Sequence, residues 1–326
     1  MTSRALPSYR TSVGWRDYQR FFPADAAISE DRHLPVEQWW RWRGLDIHLD
    51  RFEPEQPAAS TVLLIHGAGG YGRLFAPLAR MLRDNGHAVI APDLPGYGLS
   101  AAAGHWIDSR HWRDLLIDLV AQEHAAHQRP IVLFGASIGG YLAYLCAAQS
   151  PHVTGLIATT LADPRQAAVQ HDLARNRLLR AGLPLLPALA RISGGLRLPI
   201  RWFTHMQRMS RDPALTALVC EDPLGGGNRV PLGLLASLFN TAPAVEPEQF
   251  QQCPVLLLHP ALDHWTRVAS SDLFFERLCV PKQRVLLENC GHFPVESPGL
   301  QQLRAATLDF LQDTVDACRA DHPAPP

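Results

Sequence analysis

Short apolar segments recur along the chain from residue 61 onward and predict the strands of a sheet. Six of them, rich in leucine and β-branched side chains, lie at 61–65, 87–91, 130–134, 153–159, 254–258 and 284–288. Stretches with helical spacing of apolar residues occupy the gaps between them. Strands that alternate with helices are typical of right-handed βαβ units, so the pattern predicts an α/β fold with a mostly parallel, doubly wound sheet.

Two segments before the first of these strands alternate polar and apolar side chains. They cover residues 37–42 and 45–50, and they flank the pair Arg43-Gly44, which suits a tight turn. The pattern predicts an antiparallel entry hairpin. Residues 1–36 are polar, contain prolines and aromatic residues, and predict an N-terminal extension on the body of the protein. Its role stays open between shielding a pocket, contacting a partner subunit and simple packing.

The alternation of strands and helices is interrupted once, between residues 163 and 248. This region carries leucine, methionine and aromatic residues at mixed helical spacings, with prolines between them. It predicts a helical cap inserted into a core made of residues 37–162 and 249–318, and we expect the cap to determine which ligand groups fit. Residues 319–326 predict a flexible tail.

Composition restricts the kind of partner. The chain has 326 residues, 47% of them hydrophobic, which is enough for one large core, and its formal net charge of −1 gives no general attraction to nucleic acid. It has no apolar run of the length that spans a membrane, and the arginine-containing N-terminus lacks an apolar signal core. We therefore expect a cytoplasmic protein that binds a small molecule, with an oligomeric state that the sequence leaves open.

Cysteine and histidine positions argue against a metal or disulfide framework. The six cysteines are scattered, with no C-x-x-C pair among them. His259, Asp263 and His264 are close in sequence, but residues of one loop make a poor zinc site without further ligands. We expect neither a metal nor a cofactor.

The segment 135–139, Gly-Ala-Ser-Ile-Gly, predicts a catalytic nucleophile at Ser137. A predicted buried strand runs into it and a helix of small residues follows, so the serine lies on a tight turn between strand and helix. A β-carbon two residues before or after the serine would collide across such a turn, which explains the glycine at both flanks.

Two further candidates follow the last predicted strands. Asp263 comes after the strand at 254–258, and His292 comes after the strand at 284–288. The carboxyl ends of parallel strands meet at one edge of a sheet, where side chains from separate strands converge. Since a serine hydroxyl needs a base and a third group that orients the base, we assign His292 as the base and Asp263 as the acid.

Together with two upstream loops, these motifs resemble those of the α/β-hydrolase superfamily. The strand at 61–65 ends in His-Gly-Ala-Gly-Gly at residues 66–70, and residues 92–100 read Pro-Asp-Leu-Pro-Gly-Tyr-Gly-Leu-Ser. The resemblance covers roughly residues 45–315. Within the superfamily the chain is most similar to the group of monoacylglycerol lipases, lysophospholipases and small-ester hydrolases.

The resemblance implies several roles. It places the inserted cap between the sixth and seventh strands, and it leaves Asp163 as an alternative acid, because some members carry the acid after the sixth strand. The oxyanion of the intermediate is expected to accept hydrogen bonds from the backbone N–H of Ile138 and from that of Ala68 or Gly69. His66 is expected to brace this loop.

A serine at the nucleophile position excludes the superfamily members that use aspartate or cysteine there, such as haloalkane dehalogenases and dienelactone hydrolases. We expect a serine esterase that cleaves a small to medium acyl ester, a lipid monoester or a lactone through an acyl-enzyme. A carbon–carbon bond hydrolase, a cofactor-free haloperoxidase and a ligand-binding receptor without turnover remain as alternatives.

Overall fold

The computed structural model describes residues 6–12, 14–100, 107–173, 181–193 and 195–321. The strands of these residues are β1 (Val36–Trp42), β2 (Leu45–Phe52), β3 (Thr61–Ile65), β4 (Ala88–Pro92), β5 (Ile131–Gly135), β6 (Val153–Ala158), β7 (Arg197–Pro199), β8 (Arg229–Pro231), β9 (Val255–Pro260) and β10 (Lys282–Leu287). The α-helices are α1 (Ala76–Asp84), α2 (Ser109–His127), α3 (Ile138–Ala147), α4 (Ala167–Leu173), α5 (Leu186–Ser193), α6 (Pro213–Glu221), α7 (Leu232–Leu238), α8 (Val268–Phe275) and α9 (Gly299–Asp321).

Eight of the strands form one sheet in the order β1-β2-β4-β3-β5-β6-β9-β10. Strand β2 pairs antiparallel with β1 and β4, and every other neighbouring pair is parallel. This order confirms the predicted α/β fold with a mostly parallel sheet. Each of the six predicted strands lies within two residues of its predicted limits.

The inner strands of the sheet are buried on both faces, whereas the edge strands β1 and β10 are partly exposed. Along β3, Leu63 and Ile65 pack into one hydrophobic cluster with α2 and α3, whereas Val62 and Leu64 pack into another with α1 and α9. Successive side chains of a strand point to opposite faces, so a strand covered on both sides must be apolar throughout. The continuous apolar runs in the sequence have this origin, and the doubly wound arrangement is confirmed.

The entry hairpin is also confirmed. Strands β1 and β2 pair in register from Val36 opposite Arg51 to Trp42 opposite Leu45. The two connecting residues, 43 and 44, both have positive φ angles of 43° and 87°, as expected for a two-residue turn of type I′.

The described residues between β6 and β9 form more than helices. They contain α4, α5, α6 and α7, but also the antiparallel pair β7–β8, in which Leu198 lies opposite Val230. A separate apolar cluster joins α5 and α7. The sequence predicted only helices here, because two strands of three residues are too short to give a recognisable alternation. Residues 174–180 and 194 lie outside the described residues, and the limits 163–248 of a cap stay a prediction.

The N-terminal extension packs on the body, as predicted for residues 1–36, of which 1–5 and 13 lie outside the described residues. It contains two 3₁₀ helices, Gly14–Phe21 and Asp31–His33, and it buries Tyr9, Trp15 and Tyr18. At the other end, α9 includes the first three residues of the predicted tail, and residues 322–326 are not among those described. No helix in the described part of the chain is long and apolar enough to cross a membrane.

A buried cluster of charged groups joins the entry hairpin to the loops after β3 and β4. The Arg73 guanidinium donates to Asp50 at 2.6 and 2.8 Å and to Glu37 at 3.0 Å. The two ring nitrogens of His48 each lie 3.4 Å from a carboxylate oxygen, one of Glu37 and one of Asp93. Burial by itself would lower the pKa of His48, but these carboxylates raise it to about 9. The His48 ring is therefore a cation in the folded protein at neutral pH.

We expect the stability of the protein to fall as the pH rises through about 9, the pKa of folded His48. An unfolded histidine has a pKa of about 6.5, so the stability contributed by protonated His48 is fully present below that pH. It is lost above the pKa that His48 has in the folded protein. This difference between the folded and unfolded pKa of His48 corresponds to a contribution on the order of 3 kcal/mol to the free energy of unfolding. Urea unfolding of the wild type and of His48→Gln, at about pH 6 and about pH 10, measures it. An equal loss of stability in the two proteins would contradict the role of His48.

Candidate active site

The backbone at Ser137 is strained. Ser137 lies between the end of β5 and the start of α3, with φ of 55° and ψ of −131°, a region that side chains other than glycine rarely adopt. A β-carbon at Gly135 would lie 2.2 Å from the carbonyl oxygen of Gly139, and one at Gly139 would lie 2.3 Å from that of Ile65. Both flanks of the serine must therefore be glycine, as the sequence analysis argued.

The three residues predicted as nucleophile, base and acid lie together. His292 Nε2 is 2.8 Å from Ser137 Oγ, and His292 Nδ1 is 2.7 Å from Asp263 Oδ2. An ionised carboxylate only accepts hydrogen bonds, so Nδ1 carries the proton that it donates to Asp263. In the neutral ring, Nε2 is then an acceptor for the Ser137 hydroxyl. This tautomer is the one that a general base requires.

Asp263 is held as a buried carboxylate. Its Oδ1 accepts hydrogen bonds from the backbone N–H of Trp265 at 2.8 Å and of Thr266 at 2.9 Å. Burial by itself would raise the pKa of Asp263, but His292 and the Thr266 N–H together lower it below its usual range. The Trp265 ring lies over the His292 ring, with 4.6 Å between their centroids. The acid is thus ionised and fixed by its own loop.

The alternative acid, Asp163, has a different partner. Its carboxylate accepts hydrogen bonds from Arg165, with 2.6 Å between Nη2 and Oδ2, and Arg165 also donates to Glu246. Asp163 thus belongs to an ion-pair network beside the sheet, whereas Asp263 bonds to His292. The geometry favours Asp263 as the orienting acid.

His66 anchors the loop after β3. Its Nδ1 donates to the carbonyl oxygen of Gly67 at 2.9 Å, and its Nε2 accepts from the backbone N–H of Leu94 at 3.0 Å. Burial lowers the pKa of His66, which keeps the ring neutral and preserves its acceptor nitrogen. The expected bracing role of His66 is confirmed by these two bonds.

The same loop approaches the serine closely. A β-carbon at Gly67 would lie 2.8 Å from Ser137 Cβ. The second oxyanion donor, Ala68 or Gly69, stays a prediction. The predicted role of Ile138, the first residue of α3, is untested and stays a prediction.

An apolar cavity opens at Ser137 and His292. Among the described residues, the predicted cap contributes only Met209 and Val219 to its wall. The remaining wall comes from the sheet edge, α1, the start of α9 and the N-terminal extension; examples are Phe22, Leu78 and Leu303. The sequence predicted that the cap would determine which groups fit. It left shielding of a pocket open as one role of the extension, and it gave no signal for α1 or α9. The aromatic residues of the extension were the available signal, but a local pattern does not show what they face.

Comparison with known proteins shows the family. The family model described as Serine aminopeptidase, S33 matches residues 56–296, well over half of the chain. A phospholipase of Bacillus subtilis, YtpA, is 27% identical over 160 residues, which are 48% of this chain and 56% of that protein. The monoacylglycerol lipase of Mycolicibacterium smegmatis is 25% identical over 248 residues, 72% of this chain and 81% of the relative. The chain thus spans little more than half the length of the phospholipase.

Solved structures agree in fold. The monoacylglycerol lipase of Paleococcus ferrophilus superposes with a TM-score of 0.66 at 23% identity, covering 82% of this chain and 99% of that one. A soluble variant of the monoglyceride lipase of Saccharomyces cerevisiae gives a TM-score of 0.70 at 18% identity, covering 86% and 95%.

These matches confirm the resemblance on which the sequence analysis drew and its prediction of a hydrolase. The Gly-flanked serine on a strained turn, the parallel sheet and the order of the motifs all lie within the matched residues 56–296. The chain therefore belongs to the serine aminopeptidase S33 family of the α/β-hydrolase superfamily.

Proposed function

We propose that this protein hydrolyses carboxylic esters in the manner of a monoacylglycerol lipase, with a lipid monoester, a small to medium acyl ester or a lactone as substrate. The observation that carries the proposal is the hydrogen-bonded series Ser137, His292 and Asp263, which opens on an apolar cavity. Relatives named as monoacylglycerol lipase and phospholipase support this substrate class.

In the proposed reaction, Ser137 Oγ attacks the ester carbonyl carbon while His292 Nε2 accepts the hydroxyl proton. The oxyanion that forms accepts hydrogen bonds from the backbone N–H of Ile138 and from that of Ala68 or Gly69, and one such donor typically contributes about 3 kcal/mol to lowering the barrier. The imidazolium then gives its proton to the leaving alcohol, which leaves the acyl group on the serine. Water, deprotonated by His292, hydrolyses this acyl-enzyme and restores the hydroxyl. Asp263 stabilises the imidazolium in both steps.

The cavity wall supports a hydrocarbon chain as part of the substrate. Leu74, Phe75 and Met81 contribute apolar side chains to it. Burying one methylene group of a chain against such a surface contributes about 0.8 kcal/mol to binding. We further propose that residues 163–248 act as a cap over this site, through Met209 and Val219 among the described residues.

Replacement of the nucleophile tests the assignment most directly. We expect Ser137→Ala to lower kcat/KM for p-nitrophenyl butyrate by about 10⁴-fold or more, because no hydroxyl remains to form the acyl-enzyme. The matched control is Ser150→Ala, the same exchange at a buried serine beyond the end of α3. Initial rates should be wild-type in the control, and both variants should keep the far-UV circular dichroism of the parent. Residual activity of Ser137→Ala above a few per cent would exclude Ser137 as the nucleophile.

A pair of aspartate variants tests which acid orients the base. Asp263→Asn should reduce kcat by up to about 10⁴-fold, since an amide at this place favours the wrong tautomer of His292. Asp163→Asn should change kcat by less than about threefold, because its partner is Arg165 rather than His292. Steady-state kinetics on the same ester measure both values. The opposite ranking would assign the orienting role to Asp163.

A further inference from the structure

One wall of the cavity at Ser137 comes from outside the family-matched residues 56–296. Phe22 and Ala26 precede that range, and Leu300 and Leu303 follow it. Two remote parts of the chain, the N-terminal extension and the start of α9, thus meet at the site. Both parts lie outside the residues that match the family model.

The extension is fixed to the body by buried polar contacts. The Tyr9 hydroxyl donates to Asp93 Oδ2 at 2.7 Å, and Trp15 Nε1 donates to the Tyr9 carbonyl oxygen at 3.0 Å. The Arg73 guanidinium lies 4.7 Å from the ring centre of Tyr9 and 4.9 Å from that of Trp15. Both rings are fully buried, which strengthens such cation–π contacts. These bonds give the extension a defined position over the cavity.

The same extension reaches the catalytic loop. The Tyr18 hydroxyl donates to Asp222 Oδ2 at 2.9 Å, and the rings of Tyr18 and Phe22 lie 6.5 and 6.1 Å from that of Phe293. Phe293 directly follows His292. The 3₁₀ helix Gly14–Phe21 therefore fixes the residue after it, Phe22, against the loop that carries the proposed base.

Helices on both sides hold the part that bears Ala26. Arg304 of α9 bonds to Asp25 at 2.9 Å, and Arg80 of α1 donates to the carbonyl oxygen of Ala27 at 3.1 Å. The exposed pair of Arg304 and Asp25 contributes little stability. Together the two bonds nevertheless fix the backbone on either side of Ala26, which is buried at the cavity wall.

We propose that Phe22 and Ala26 bound the site of the ester's hydrocarbon chain and determine the chain length that the enzyme prefers. This inference rests on the proposed ester hydrolysis and extends it to a specificity element in the N-terminal extension. The small methyl side chain of Ala26 leaves space in the cavity that a larger side chain would fill. The Phe22 ring occupies space in the cavity that a smaller side chain would leave open.

The experiment compares chain-length profiles of kcat/KM. One series is p-nitrophenyl esters from acetate to palmitate, and a second is acetate esters of alcohols from ethanol to hexadecanol, so that either arm of the ester can report. We expect Ala26→Phe to lower the ratio of long-chain to short-chain kcat/KM by about tenfold or more. Phe22→Ala should move the optimum to longer chains. The matched control, Ala24→Phe, places the same ring on an exposed residue of the same segment and should keep the wild-type profile.

Profiles of Ala26→Phe and Phe22→Ala that match the wild type in both series would overturn the inference while leaving ester hydrolysis intact. If circular dichroism shows that Ala26→Phe does not fold, the chain-length optimum of Phe22→Ala decides: a shift to longer chains supports the inference, and an unchanged optimum overturns it. Absence of ester hydrolysis in the wild type would instead contradict the proposed function. Calorimetric titration with laurate then tests, without any reaction, whether the cavity wall at Ala26 binds a hydrocarbon chain. Weaker binding of laurate by Ala26→Phe than by Ala24→Phe supports the inference, and equal binding overturns it.

Discussion

The strained backbone of Ser137 is the constraint on which the rest of the site depends. A positive φ at a residue with a side chain costs on the order of 1–3 kcal/mol and persists only where its surroundings enforce it. Here the enforcement is close packing of backbone on backbone, because Gly135, Gly139 and Gly67 all approach neighbouring atoms more closely than a β-carbon would allow. Ser137, the proposed nucleophile, is consequently held in place by the sheet, the helix and the loop after β3 at once.

The parallel sheet brings the other groups to that point. Ser137, Asp263 and His292 follow β5, β9 and β10, which all run in the same direction, so their loops meet at one edge. Burial also restricts how these groups can move. The buried Asp263 carboxylate accepts hydrogen bonds from two backbone N–H groups and from the His292 ring instead of from water. It therefore has little freedom to move, and it selects one tautomer of His292.

A second set of buried charges links the sheet to the extension. Arg73 bonds to Asp50 and Glu37 inside the protein and also packs against the rings of Tyr9 and Trp15. Removing one member of such a group leaves an uncompensated buried charge, which is far more costly than the loss of a surface ion pair. The extension is thereby coupled to the core.

The sequence by itself determined the sheet strands, the entry hairpin, the glycine-flanked serine and the order of Ser137, Asp263 and His292, because each depends on neighbours within a few residues. Only the tertiary structure decided the rest. Asp163 and Asp263 both follow a strand, and only the path of their loops decides which one contacts His292. The β7–β8 pair is too short to produce a sequence pattern. Phe22 and Leu303 line the same cavity although they are far apart in the chain. Local periodicity of the sequence carries no information about such contacts.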